Sequence, residues 1–206
     1  YNNIEYIIID GGSRDGTINI IEEYSASINY YISEPDHGIY DAMNKGIKVA
    51  TGDIVGILNS DDFYPNNFIL SNVAKSFVQQ KCDAIYGDLV YVNIKKTSKI
   101  VRYWQAGEYS TKKIKNGWML PHPTFFVKLS IYNRFGLYDI DLKRAADYQM
   151  IVKLLYKHNI TVCYIPMILV KMRIGGASNA SIFDRLKANK EDGLAWSKNQ
   201  LNKPWL

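Results

Sequence analysis

Apolar residues fall along this chain in short continuous blocks that alternate with stretches of helical spacing. Ile4 to Ile9 is rich in isoleucine and halts at Asp10-Gly11-Gly12, the pattern of a buried strand stopped by a glycine turn. A helix is expected to begin near Asp15 to Thr17 and run to about Ser25, followed by a short strand, Tyr30 to Ser33. Glu34-Pro35-Asp36-His37-Gly38 marks a loop, Ile39 to Ala50 a second helix, and Thr51-Gly52-Asp53 its stop. Ile54 to Leu58 is another apolar run, and it delivers Asn59-Ser60-Asp61-Asp62 at its C-terminal end before Phe63-Tyr64-Pro65 turns the chain. A helix over Phe68 to Gln80 and a strand near Ala84 to Tyr91 complete the first half.

The second half is less regular. It holds a Lys-rich turn at Lys95 to Lys99, the stretch Trp104 to Met119, and Leu120-Pro121-His122-Pro123-Thr124-Phe125-Phe126. A helix is expected over Arg144 to His158, a strand over Thr161 to Arg173 and a closing helix over Asp184 to Asn199. Alternating strands and helices predict an α/β fold, a doubly wound, mostly parallel sheet with helices on both faces. In such sheets ligands collect at the carboxyl ends of the strands, which places the loops at Asp10, Asp36 and Asp61 on one rim. With 206 residues and neither a repeat nor a low-complexity linker, one domain is expected over 1–206.

Composition narrows this little. Hydrophobic residues make up 47% and charged residues 22%, the values of an ordinary folded domain. The net charge of +5 fits either a solvated surface or an anionic partner. Cys82 and Cys163 are too few for a disulfide scaffold and wrongly spaced for zinc, and are read as reduced core thiols of a cytoplasmic protein. No apolar run reaches the roughly 20 residues of a membrane span, so any membrane contact is expected to be peripheral.

Candidate chemistry sits in the polar loops. Asp61 and Asp62 follow a buried strand, a placement suited to holding a divalent cation against a diphosphate, although Asp-rich turns also merely stop strands. In Asp10-Gly11-Gly12-Ser13-Arg14-Asp15-Gly16-Thr17 the glycines let backbone approach a ligand and Asp10 can accept from a base or ribose. The same loop also reads as a tight turn capped by Ser13 or Asp15. Asp36, with Asn44 and Lys45 on the helix after it, makes a plausible second wall of a nucleotide pocket.

Taken together, Asp-Gly-Gly-Ser-Arg-Asp-Gly-Thr, then Asp-His-Gly-Ile-Tyr-Asp-Ala-Met-Asn-Lys-Gly, Ala50-Thr51-Gly52-Asp53 and Asn59-Ser60-Asp61-Asp62 closely resemble family 2 glycosyltransferases of the GT-A fold. The resemblance spans about Ile4 to Ala177 and leans toward bacterial enzymes that build capsular, colanic-acid-like or lipopolysaccharide glycans. It implies an inverting transfer of one sugar from a UDP- or GDP-linked donor to a glycan or lipid-linked acceptor, assisted by Mn²⁺ or Mg²⁺. Residues 1–92 would form the nucleotide-sugar half, 93–180 the acceptor and catalytic half, and 181–206 a C-terminal helix.

By position, Asp10 with Gly11 and Ser13 would face the nucleobase, Asp36, Asn44 and Lys45 would line the nucleotide pocket, and Asp61 would be the metal-linked carboxylate with Asp62 beside it. The family's Asp-x-Asp reads Asn59-Ser60-Asp61 here, one carboxylate fewer on the ribose side. Ala146-Asp147 matches the place of the family's general base, so Asp147 is the catalytic candidate; a helix-start acid favoured by the macrodipole is the alternative. His122 matches a His-Pro-(Ser/Thr)-Phe-Phe segment and would contact donor phosphate or acceptor.

Trp104 and Trp118 would stack on sugar or pack in the core. The Gln-x-x-Arg-Trp motif of processive synthases is not seen, Arg173-Ile174-Gly175-Gly176-Ala177-Ser178 standing in that region. No nucleic acid is expected as a partner, while membrane contact at the inner face of the plasma membrane and homo-oligomerisation stay open. A GT-A fold opens with a strand, loop and helix before the strand at Ile4 to Ile9, and that unit is expected to be absent. An inactive or self-associating fragment is therefore a second reading, and a nucleotidyltransferase a third.

Overall fold

In the computed structural model, residues 1–175, 193–202 and 204 are described. The elements run in the order β1 (Ile7–Asp10), α1 (Thr17–Glu23), β2 (Tyr30–Ser33), α2 (Ile39–Val49), β3 (Ile54–Gly56), β4 (Asp62–Phe63), α3 (Ile69–Gln80) and β5 (Ala84–Val92). They continue with β6 (Ile100–Trp104), α4 (Thr111–Lys115), a single turn at His122–Thr124, β7 (Phe126–Lys128), α5 (Leu129–Phe135), α6 (Ala146–Ile151) and β8 (Val162–Arg173). The α6 helix widens into a π-helical segment over Val152–Lys157. Helix also spans 193–198; the rest of the closing helix expected from Asp184 lies outside the described residues, as do Gly176 to Ser178.

Strand β5 organises the fold. All of its residues but Tyr91 are buried, Asp88 among them, which demands cover on both faces. Along one edge it takes the parallel strand β8 over nine residue pairs, from Ala84↔Val162 to Val92↔Arg173. Its other edge is shared, β7 pairing at Ala84 and Ile85 and β6 at Leu89 to Val92, both antiparallel. The six-stranded sheet runs β3-β7-β5-β8-β4 with β6 beside β5, so β3, β5 and β8 point one way. β1 and β2 pair in parallel as a separate two-stranded sheet.

Helices cover both faces. On one, Tyr40, Met43, Asn44 and Ile47 form the buried stripe of α2, at the spacing of a helix that buries one side. That stripe joins Tyr86, Val127, Ile151, Leu154 and Leu155 in the larger core. On the other, Ile69, Val73 and Phe77 of α3 meet Ile85, Leu89 and Val170. Cys82 and Cys163 are both free, with burial pushing the Cys82 thiol up to about 12.

The α/β architecture and nearly all first-half elements agree with the sequence expectation to within a few residues. β6, α4, β7 and α5 were not anticipated, because Trp104 to Met119 and the Pro-flanked segment carry no clean period. Among the described residues no helix is long and apolar enough to cross a membrane.

Close approach of β5 and β8 rests on Gly87, where an added methyl would lie 2.6 Å from Leu169 Cγ and 2.8 Å from the Met167 carbonyl oxygen. Gly87→Ala is expected to destabilise the protein by about 1–3 kcal/mol, the usual range for overpacking. The check is the urea unfolding midpoint; an unchanged value would mean that β8 shifts aside at no cost.

Candidate active site

The turn after β1 is built around Asp10. Its Oδ2 accepts from the Gly12 amide (3.0 Å), the Ser13 amide (2.8 Å) and the Ser33 hydroxyl (2.6 Å), and its Oδ1 from the Ser13 hydroxyl (2.5 Å). Burial alone would raise this carboxyl, but the two hydroxyls and two amides outweigh it and hold it at about 2. Asp10 and Ser13 thus fix the loop and its junction with β2. Gly11 is pressed against the next loop, since a methyl there would sit 2.6 Å from Asp36 Oδ2.

Asp36 in turn accepts from the Gly38 amide at 2.8 Å and shapes the start of α2. Lys45 reaches back from α2 to Glu34 (2.8 Å) and to the Pro35 carbonyl (3.2 Å). Asp10, Gly11, Ser13, Asp36 and Lys45 are therefore gathered where β1 and β2 end.

Two residues expected at the nucleotide surface lie inside instead. Asn44 is buried, its amide nitrogen donating to the Tyr138 carbonyl and its oxygen accepting from the Tyr138 amide, both at 2.9 Å. This bidentate clamp ties α2 to the loop after α5. His122 is 8% exposed, and its Nε2 lies 2.8 Å from the Tyr138 hydroxyl. Burial lowers its pKa against the opposing charge of Asp147, so the ring stays neutral at physiological pH. Within the fold its Nε2 is engaged by Tyr138.

Asp147 sits half-buried in the first turn of α6. Its Oδ1 accepts from the Tyr40 hydroxyl at 3.0 Å, across 107 residues of chain, and from the Tyr148 amide at 2.9 Å. Tyr40 stacks on Tyr138 with centroids 5.8 Å apart. Tyr40 had no assigned role in the sequence, though it lies inside the Gly-Ile-Tyr-Asp-Ala-Met-Asn segment that carries the resemblance.

Asp61 and Asp62 lie at the start of β4. Asp62 is 6% exposed; its Oδ2 is 3.3 Å from Asn59 Nδ2, while its Oδ1 is buried with no hydrogen-bond partner. Burial, then the charge of Asp61, pushes this carboxyl up to about 7, with Asn59 and Arg173 opposing. Arg173 Nη1 donates to the Asp61 carbonyl at 2.7 Å and its guanidinium covers the Phe63 ring.

An unpartnered buried carboxylate oxygen next to a second carboxylate fits a divalent cation. Among the described residues no three or more His, Cys, Asp or Glu side chains gather as a metal cluster. Oxygens from a bound diphosphate would have to complete the shell. Trp118 donates to the Ala106 carbonyl at 3.0 Å and packs edge-on to Tyr86, and Trp104 is packed in the smaller core beside Arg102, so neither stands free as a stacking plate.

The model of glycosyl transferase family 2 matches residues 1–140. The chain belongs to that family. Among curated relatives, an uncharacterized glycosyltransferase of Mycobacterium tuberculosis is 31% identical over 156 residues, covering 73% of this chain and 56% of the relative. A PGL/p-HBAD biosynthesis glycosyltransferase of Mycobacterium bovis is 23% identical over 186 residues, covering 87% of this chain and 70% of that one.

Among solved structures, S. aureus TarS 1-349 in complex with UDP-GlcNAc has TM-score 0.68 at 18% identity, covering 97% of this chain and 59% of that chain. The mannosyltransferase PcManGT from Pyrobaculum calidifontis, in complex with GDP-Man and Mn²⁺, has TM-score 0.64 at 16% identity, covering 94% and 54%. The chain spans little more than half the length of the first of these relatives and of both solved structures. The structural likenesses agree with the GT-A fold.

The folded pKa of Asp10, about 2, lies below its unfolded value of 3.8, so its ionised form stabilises the fold above that value. The contribution is lost as pH falls through about 2. Asp10→Asn is expected to cost about 1–3 kcal/mol at neutral pH. The gap to the parent should close below about pH 4, read from urea midpoints across pH; a pH-independent gap would refute the assignment.

Proposed function

We propose that this chain carries the donor and base machinery of an inverting glycosyltransferase that moves one sugar from a UDP- or GDP-linked donor to a glycan or lipid-linked acceptor. The observation that carries the reading is the Tyr40–Asp147 hydrogen bond. It joins the helix that starts at the donor loop to the helix that presents the candidate base. Residues 1–92 supply the donor side, and 93–180 the acceptor side.

The turns at Gly11 and Asp36 hold the nucleoside, with Asp10 and Lys45 setting their shape. Asp147 accepts the proton of the acceptor hydroxyl as the hydroxyl oxygen bonds to the anomeric carbon. The bond from that carbon to the diphosphate oxygen breaks on the opposite face, so the nucleoside diphosphate leaves and the configuration inverts. Tyr40 orients the carboxylate while this happens. Asp61 and Asp62 are the residues that would hold Mn²⁺ or Mg²⁺, which when bound neutralises charge on the leaving diphosphate. UDP-GlcNAc bound to TarS, and GDP-Man with Mn²⁺ bound to PcManGT, support the donor class and the cation.

Calorimetric titration with UDP and with GDP, each with Mn²⁺ and with chelator, tests the donor half. Cation-dependent binding of one nucleotide is expected, and Asp62→Ala should abolish that dependence. Binding of neither nucleotide would sink the reading of this chain as a donor site.

Asp147→Asn is expected to keep nucleotide affinity while lowering turnover about 10²–10⁴-fold, the usual contribution of a general base. Tyr40→Phe preserves the ring stack and should lower turnover by a smaller factor. Unimpaired turnover in Asp147→Asn would remove it from the chemistry.

A further inference from the structure

One hairpin of this chain is charged with a single sign. Residues 93–104, the β5–β6 turn and strand β6, contain Lys95, Lys96, Lys99 and Arg102 and no Asp or Glu. All four side chains are exposed, and among the described residues no salt bridge engages them. The tip is a built turn: Asn93 Oδ1 accepts from the amides of Lys95 (3.0 Å) and Lys96 (2.9 Å), and the Asn93 amide closes onto the Lys99 carbonyl at 3.0 Å.

Lysines on an edge strand often serve only to discourage further pairing. That purpose does not account for the apolar side chains between them. Ile94 is 59% exposed, Ile100 51%, Val101 52% and Tyr103 49%. Cations interleaved with exposed apolar groups match the two layers of a bilayer surface, headgroup phosphates outside and acyl chain below. A soluble polyanion would use the lysines and leave Ile94, Ile100 and Val101 in water.

We propose that the 93–104 hairpin docks this protein on an anionic lipid surface. The place is suited to a membrane-borne acceptor, because Val92 pairs with Ile100 on one side and with Arg173 on the other, and Arg173 holds the Asp61 carbonyl at 2.7 Å. Two strands, β5 and β8, thus lie between β6 of the hairpin and the carboxylate rim. The inference itself does not depend on sugar transfer, and its test needs neither donor nor acceptor.

The test is cosedimentation of the unmodified chain with phosphatidylcholine vesicles, with and without phosphatidylglycerol. Binding is expected to the anionic vesicles alone and to weaken with salt. The triple variant Lys95→Gln, Lys96→Gln, Lys99→Gln should partition about a hundred-fold less, since each basic residue near an anionic leaflet contributes about five-fold. Its melting temperature should be unchanged, because these side chains are solvated. Ile100→Ser should weaken binding further at high salt, where apolar insertion dominates.

No binding of the parent to anionic vesicles overturns the proposal, as does undiminished binding of the triple variant. Binding of soluble polyphosphate in place of vesicles would assign the hairpin to a polyanion and overturn it equally.

Discussion

A strand buried on both faces must have each of its hydrogen-bonding edges filled, and β5 meets that demand with three partners. β8 takes one whole edge, and β7 and β6 divide the other. The division leaves Tyr86, Gly87 and Asp88 between β7 and β6, and the ladder to β8 is irregular at Gly87 and Asp88. Here the Thr124 hydroxyl meets the Gly87 amide (3.3 Å) and carbonyl (3.0 Å), which seats the His122–Thr124 turn against the sheet. Asp88, 2% exposed, accepts from the Tyr164 hydroxyl (2.7 Å), the Ala106 amide (2.9 Å) and the Tyr103 hydroxyl. Register then carries outward in one row, Asp62↔Met172↔Tyr91↔Arg102, so the position of the Asp61-Asp62 rim is a property of β5 four strands wide.

Helix α2 is the second constraint, acting along its length where β5 acts across the sheet. Its start is shaped by Asp36, Lys45 ties it to Glu34, Tyr40 reaches Asp147, and Asn44 clamps Tyr138. Tyr138 in turn contacts His122 and stacks on Tyr40. A shift of α2 would therefore move the Asp36 loop and the Asp147 carboxylate together. Rigid elements hold side chains more tightly than loops do, which is the advantage of tying both to one helix.

The first half of the fold was legible because strands such as β1 and β3 are apolar runs ended by Asp or Gly, and helices such as α2 and α3 bury every third or fourth residue. In the second half, packing decides what the local pattern does not. Thr111–Lys115 is a helix although four of its five residues are polar, with Ile114 alone fully buried to anchor it. The polar spots at Asp10, Asp36 and Asp61 could be found from their positions at the ends of elements, whereas Asp147 was singled out by the family resemblance alone. Which polar residues face inward could not: Asn44 and Lys45 are neighbours in sequence, yet one is buried in the Tyr138 clamp and the other is bound to the loop. Tyr40 and Tyr138 were invisible for the same reason, since their role lies in a contact between distant segments.

Two buried carboxylates differ sharply in their partners. Asp10 accepts four hydrogen bonds and is held at about 2, so its charge is fully used by the fold itself. Asp62 has a weak 3.3 Å contact on one oxygen and nothing on the other, with Asp61 alongside, and stands at about 7. A fold gains nothing from a buried acid beside a like charge and without donors; replacement by Asn or by an apolar residue would relieve the strain. A cation shared with a diphosphate would reverse the balance, turning two repelling carboxylates into ligands. The local instability of Asp62 therefore argues for a ligand at this rim more strongly than does the mere adjacency of two aspartates.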